Sequence, residues 1–74
     1  MEIKIKQNKK NEFTERDKKL IEYIAAGWTD AEISKEIGVA IISVRQIIGK
    51  LLSKSNTFNR PQLVYWAVKN GILN

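Results

Sequence analysis

The chain is predicted to be all-α, a domain of four short helices behind a polar N-terminal arm. Three observations support this. From Phe13 onward, apolar residues recur three and four positions apart, the spacing of a helix with one buried face. Threonine, asparagine and glycine stand where helices must start and stop. The 74 residues include neither cysteine nor histidine, so disulfides, thiolate nucleophiles and the usual zinc sets are excluded, and helix packing must supply the stability. A chain of this length forms one domain and buries only about 60% of its unfolded surface.

Residues 1–12 are polar and lysine-rich, with Ile3 and Ile5 as the only apolar side chains after Met1. They are expected to form a flexible basic arm, extended at most over Glu2–Lys6. The arm either adds diffuse attraction to phosphates or is a frayed terminus. Residues 13–74 form the domain. Thr14 caps the first helix, and Asp17, three residues on, is a short version of the capping-box partner. Leu20, Ile21, Ile24 and Ala25 follow at helical spacing, and Gly27 ends the helix in the left-handed conformation that glycine adopts cheaply. Trp28 is then placed to fold back onto Tyr23.

Thr29 and Glu32 make a better capping box and start a second helix that runs through Ile37. Gly38-Val39-Ala40 forms the turn, with Val39 plugging the angle between helices. The third helix spans about Ile41 to Lys54. At 100° per residue, Ile47, Ile48 and Leu51 cluster within about 60° of Val44, and this stripe faces the core. Ile42, Gln46, Gly49 and Ser53 lie within about 40° of the opposite direction, with Arg45 on one flank and Lys50 on the other. Ser55–Phe58 connects to a fourth helix capped by Asn59, with Pro61 in its first turn, running to about Asn70 and stopped by Gly71. Leu63, Val64, Ala67 and Val68 are its expected apolar face, and Ile72 and Leu73 close the tail.

A short helix, a turn holding glycine and a longer helix form the helix-turn-helix pattern, which presents its second helix to DNA base edges. The charge agrees. Up to Glu36, eight basic residues offset eight acidic ones; beyond it stand only Arg45, Lys50, Lys54, Arg60 and Lys69, so the whole net charge of +5 lies in the half holding the third helix. A field of one sign suits a polyanion such as nucleic acid, and a basic surface kept for solubility is the alternative. No apolar run approaches the roughly 20 residues of a membrane span, and the start lacks a secretory core, so a cytoplasmic protein without membrane contact is expected. The bias toward isoleucine, lysine and asparagine suggests an AT-rich bacterial or phage genome.

The string from Phe13 to Leu73 resembles the LuxR/GerE-type helix-turn-helix domain. That pattern opens Leu-Thr-x-Arg-Glu, met by Phe13-Thr14-Glu15-Arg16-Asp17. It continues Ala-x-Gly-x-Ser-Asn-x-Glu-Ile-Ala, which Ala25-Ala26-Gly27-Trp28-Thr29-Asp30-Ala31-Glu32-Ile33-Ser34 follows with small changes. Ser43-Val44-Arg45 stands for its Thr-Val-Lys, and Lys54, Asn59, Arg60, Gln62 and Val64 meet its closing segment. The resemblance implies a four-helix LuxR-type domain, free-standing here. Its third helix would enter the major groove of double-stranded DNA, and its fourth would often pair with a second copy.

By position, Arg45 and Gln46 would read bases, while Thr29, Ser43, Lys50, Lys54 and Arg60 would lie near phosphates. The sequence departs from the pattern at five places. Ala40 removes a cap worth about 1 kcal/mol. Ile47 replaces a frequent histidine. Gly49 replaces a commonly basic residue and costs the helix roughly 1 kcal/mol relative to alanine. Ser55-Asn56-Thr57 replaces Leu-Gly-Val. Asp30 puts a negative charge where the family has a neutral amide, close to the expected phosphates.

The side chains suit base reading. Arginine can bond guanine O6 and N7 together, and glutamine adenine N6 and N7, so Arg45 and Gln46 are candidates for neighbouring base pairs. For Arg45, a phosphate contact or a solvated charge stays open. Ile42 is placed for a thymine methyl or a protein partner, and Gly49 would let the helix backbone approach the groove. On the fourth helix, Gln62, Trp66 and Lys69 form a separate stripe with Tyr65 beside it. Such aromatics are either dimer anchors or covers for a small core, and a homodimer is the expectation.

The function expected is a sequence-specific transcriptional regulator. The alternative is a derived helix-turn-helix that binds another transcription regulator or an RNA polymerase subunit. With no histidine, cysteine, phosphate loop or paired carboxylates, an enzyme is not expected, and neither is a cofactor or metal.

Overall fold

A computed structural model of the protein describes residues 13–73, so the arm assigned to residues 1–12 lies outside the described residues. Four helices follow one another: α1 (Glu15–Ala25), α2 (Asp30–Ile37), α3 (Ile41–Ser55) and α4 (Arg60–Lys69). There is no strand among the described residues.

The expected start signals work as local chemistry requires. Thr14 Oγ1 accepts the Asp17 N–H at 3.1 Å, and the Asp17 carboxylate accepts the Thr14 N–H at 3.1 Å. Thr29 and Glu32 repeat the exchange at 3.1 and 2.8 Å, and Asn59 Oδ1 accepts the Gln62 N–H at 2.9 Å. Each pair satisfies helix-end donors that would otherwise be orphaned. Ala40 gives α3 no side-chain cap, as its methyl dictates.

The helix ends share one motif. A left-handed residue (Gly38 and Asn56 directly after α2 and α3, Gly27 and Gly71 one place further on after α1 and α4) ends each helix, and the next N–H donates back across the last turn: Trp28 to the Tyr23 carbonyl, Val39 to Ser34, Thr57 to Leu52, Ile72 to Ala67. Gly27 does this at φ 89° and seats Trp28 on Tyr23, with ring centroids 4.2 Å apart. Asn56 does it at φ 58°, so the departure from Leu-Gly-Val leaves a residue that tolerates the left-handed region. The Ser34 hydroxyl also donates to the Val39 carbonyl and ties α2 to the turn, a contact the sequence reading did not include.

The core draws on every helix and on the tail. Leu20 and Ile21 of α1, Ile33 of α2, Val44, Ile48 and Leu51 of α3, Leu63 and Ala67 of α4, and Ile72 and Leu73 are all buried. The predicted α3 stripe is therefore the buried one, with Ile47 half-buried at its edge. The α4 face is rotated from the expected one. Val68 is exposed, while Trp66 turns inward with its ring centroid 5.2 Å from that of Phe13. The cause is Phe13 itself, which packs against the core and offers Trp66 an aromatic neighbour that α4 cannot supply.

Candidate nucleic-acid interface

α3 packs against α2 and α4, and its remaining side faces solvent. Ile42, Arg45, Gln46, Gly49, Lys50 and Ser53 are all exposed there, and Ile42 keeps 58% of its surface. Arg45 and Gln46 are thus not walled in by their own chain. A Cβ built on Gly49 would meet nothing within 4 Å, so the middle of this face is open to its backbone. Ser43 is half-buried in the first turn, and Thr29 is exposed at the N-terminus of α2.

Asp30, the first residue of α2, organises the cations at one end of this face. Arg60 of α4 donates Nη1 to Asp30 Oδ1 at 2.7 Å and Nη2 to Oδ2 at 3.1 Å, a two-pronged pair. Arg45 of α3 donates Nε to the same Oδ2 at 3.2 Å. The Arg60 hydrogen bonds hold the Asp30 carboxyl below its ordinary value, with help from Arg45 and against the opposing effect of burial. The cluster keeps one net positive charge. The carboxylate that looked repulsive toward phosphates is matched twice over.

A second pair sits on the other flank. Lys54 Nζ lies 3.1 Å from Asp17 Oδ2 and 5.2 Å from the centre of the Phe13 ring. Asp17 is 5% exposed, so this lysine answers a nearly buried carboxylate. Arg60 and Lys54, both expected beside phosphates, therefore have acids of their own chain as partners. The sequence reading did not anticipate these pairs because they span 15, 30 and 37 residues, far beyond helical reach. Lys50 stands exposed on the face itself.

On α4, Tyr65 is 66% exposed with Lys69 Nζ 5.9 Å from its ring centre. Gln62 spends its side-chain oxygen on the Phe58 N–H at 2.8 Å. Trp66, counted with these as an interface residue, is half-buried against Phe13.

The family described as "Bacterial regulatory proteins, luxR family" matches residues 11–67, a stretch that contains α1 to α3 and nearly all of α4. The chain belongs to the luxR family. Membership carries the coarse function of a DNA-binding regulator. Among the relatives of this luxR-family chain, a probable transcriptional regulator, ycf29, of Porphyra purpurea is 36% identical over 82% of the chain and 29% of the relative. The ycf29 of Pyropia yezoensis is 33% identical over 90% of the chain and 30% of the relative. An uncharacterized transcriptional regulatory protein, YxjL, of Bacillus subtilis is 30% identical over 82% and 28%. The chain thus spans under a third of the length of these relatives. No solved structure matches it significantly. Among the described residues, no acidic cluster could hold a metal ion, and no helix is long and apolar enough to cross a membrane.

Proposed function

We propose that the chain binds double-stranded DNA sequence-specifically, with α3 in the major groove, as a transcriptional regulator. The observation that carries this reading is the open face of α3: arginine and glutamine side by side, exposed, next to a glycine that lets the backbone come close. Arg45 and Gln46 read base edges by their paired donor and acceptor groups. Ile42 meets a thymine methyl, and Gly49 removes the side chain that would hold the helix away. Thr29, Ser43 and Lys50 supply phosphate contacts, the first from the N-terminal end of α2, where the helix dipole favours an anion. Arg60 and Lys54 act mainly as braces, since their charges are matched internally.

One module of this size makes few base contacts, so two copies pair through α4. Tyr65, Lys69 and Gln62 form that contact, with Trp66 at its inner edge. Apolar exposure favours a second reading. Ile41 and Ile42 are 38% and 58% exposed at the start of α3, a surface that also suits a protein partner such as another transcription regulator.

Fluorescence titration of a mixed-sequence duplex across a range of salt separates the two. DNA binding through phosphates weakens linearly in log–log form as salt rises, and Lys50→Ala lowers that slope by about one. Binding indifferent to salt, or no binding beside a clear protein partner, would favour the second reading.

A further inference from the structure

We propose that Asp30, braced by Arg60, is a positioning residue that sets the base preference of Arg45. It grips the guanidinium through Nε and leaves the Nη pair as the only fork facing a base. The inference rests on the reading of α3 as the base-reading helix.

The geometry has three parts. Arg60 engages both carboxylate oxygens at 2.7 and 3.1 Å, and its planar fork fixes the plane of the Asp30 carboxylate. That carboxylate is 17% exposed, whereas the Arg45 side chain is 61% exposed, so the acid end of the contact is sheltered and the arginine end is in solvent. Arg45 spends only Nε on it, at 3.2 Å. Among the described residues, its two Nη atoms have no partner.

Recognition of guanine needs two parallel N–H donors aimed at O6 and N7. Arginine has two edges able to provide them, the Nη1/Nη2 end and the Nε/Nη2 side. With Nε committed to Asp30, only the terminal edge can present a pair. A long, flexible side chain is then ordered before DNA arrives, so less ordering is lost on binding. The carboxylate also neutralises part of the Arg45 charge and so weakens its pull on phosphate, the other acceptor open to it, which disfavours the unspecific contact. Charge on Asp30 thus lowers affinity for DNA in general and raises discrimination among bases.

The test uses the whole chain and a duplex selected by it from random DNA, with single base pairs exchanged one at a time. Arg45→Ala identifies the G·C pair that Arg45 reads. At that pair the wild type is expected to discriminate by about 10–100-fold, the range of a good bidentate contact. Asp30→Ala is expected to cut this ratio to about threefold or less, while affinity for unrelated duplex rises and the salt slope steepens by about one. Asp30→Asn, nearly isosteric, keeps an acceptor oxygen and gives an intermediate ratio; it carries the test if Asp30→Ala does not fold by circular dichroism. A ratio measured on folded protein is not moved by a merely structural role. Higher affinity for every sequence with the ratio unchanged in both Asp30 variants overturns the proposal while leaving the base-reading role of Arg45 intact. If Arg45→Ala itself alters no preference, the reading of α3 fails, and this inference with it.

Discussion

Gly49→Ala should make the protein more stable and worse at its work. Gly49 lies mid-way along α3 with an ordinary helical backbone, since the left-handed glycines are Gly27, Gly38 and Gly71. A Cβ added there meets nothing within 4 Å, so alanine fits without strain. Glycine in a helix interior costs about 0.5–1 kcal/mol relative to alanine, because it gives up more backbone freedom on folding. For a domain of this size, 1 kcal/mol moves the melting temperature by roughly 4–8 °C, so a rise of about 2–8 °C is expected by circular dichroism.

On DNA the new methyl stands on the exposed face between Gln46 and Ser53. If the backbone approaches base edges closely there, the methyl overfills the interface, at about 1–3 kcal/mol by analogy with an overpacked core. Specific binding should therefore weaken by about 5–150-fold as stability climbs. Gly38→Ala is the control: at φ 74° the same change is strained and should lower the melting temperature. A melting temperature for Gly49→Ala at or below wild type would refute the stability argument. A rise with unchanged DNA affinity would refute the close approach of α3. Because the two readouts move in opposite directions, a general folding defect cannot imitate the result.

Further outcomes follow from the packing and the ion pairs. Trp66→Ala should destabilise by about 2 kcal/mol in urea titration because its ring packs on Phe13, less than a fully buried indole because it is only half-buried; an unchanged midpoint would place it at an interface instead. Tyr65→Ala should leave stability within about 0.5 kcal/mol and lower the sedimenting mass to that of one chain, and an unchanged mass would remove α4 from the dimer contact. Asp30 governs part of the acid response. Its carboxyl is held below the ordinary 3.8, so its stabilising contribution is complete above that value and is lost as pH falls through the lowered one. Urea titrations of wild type and Asp30→Asn should differ most at neutral pH and converge in acid; a gap constant across pH would mean that the two arginines add nothing to stability.

Much of the fold was legible because helix punctuation is local. Thr14, Thr29 and Asn59 find their partners three residues away, and Gly27, Gly38 and Gly71 close helices within one turn. The α3 stripe was legible for the same reason, since a single angle per residue fixes which side chains share a face. The α4 face was not legible because its period fits two rotations about equally well, and Phe13, at the far end of the domain in sequence, selects between them through Trp66. The candidate site was legible as a row of side chains on α3 but not as a set of charges. Asp30 looked like an isolated repulsive group because neither Arg45 nor Arg60 lies within helical reach of it.

From the order of residues alone came the four helices, their caps, the family pattern and the side of α3 that turns outward, all products of contacts between residues three to five apart. Folding in space settled which cations are spent: Arg60 and Lys54 on Asp30 and Asp17, and Arg45 held by one nitrogen with its far end open. Charge pairing depends on distance through space, and no periodicity along the chain encodes that distance.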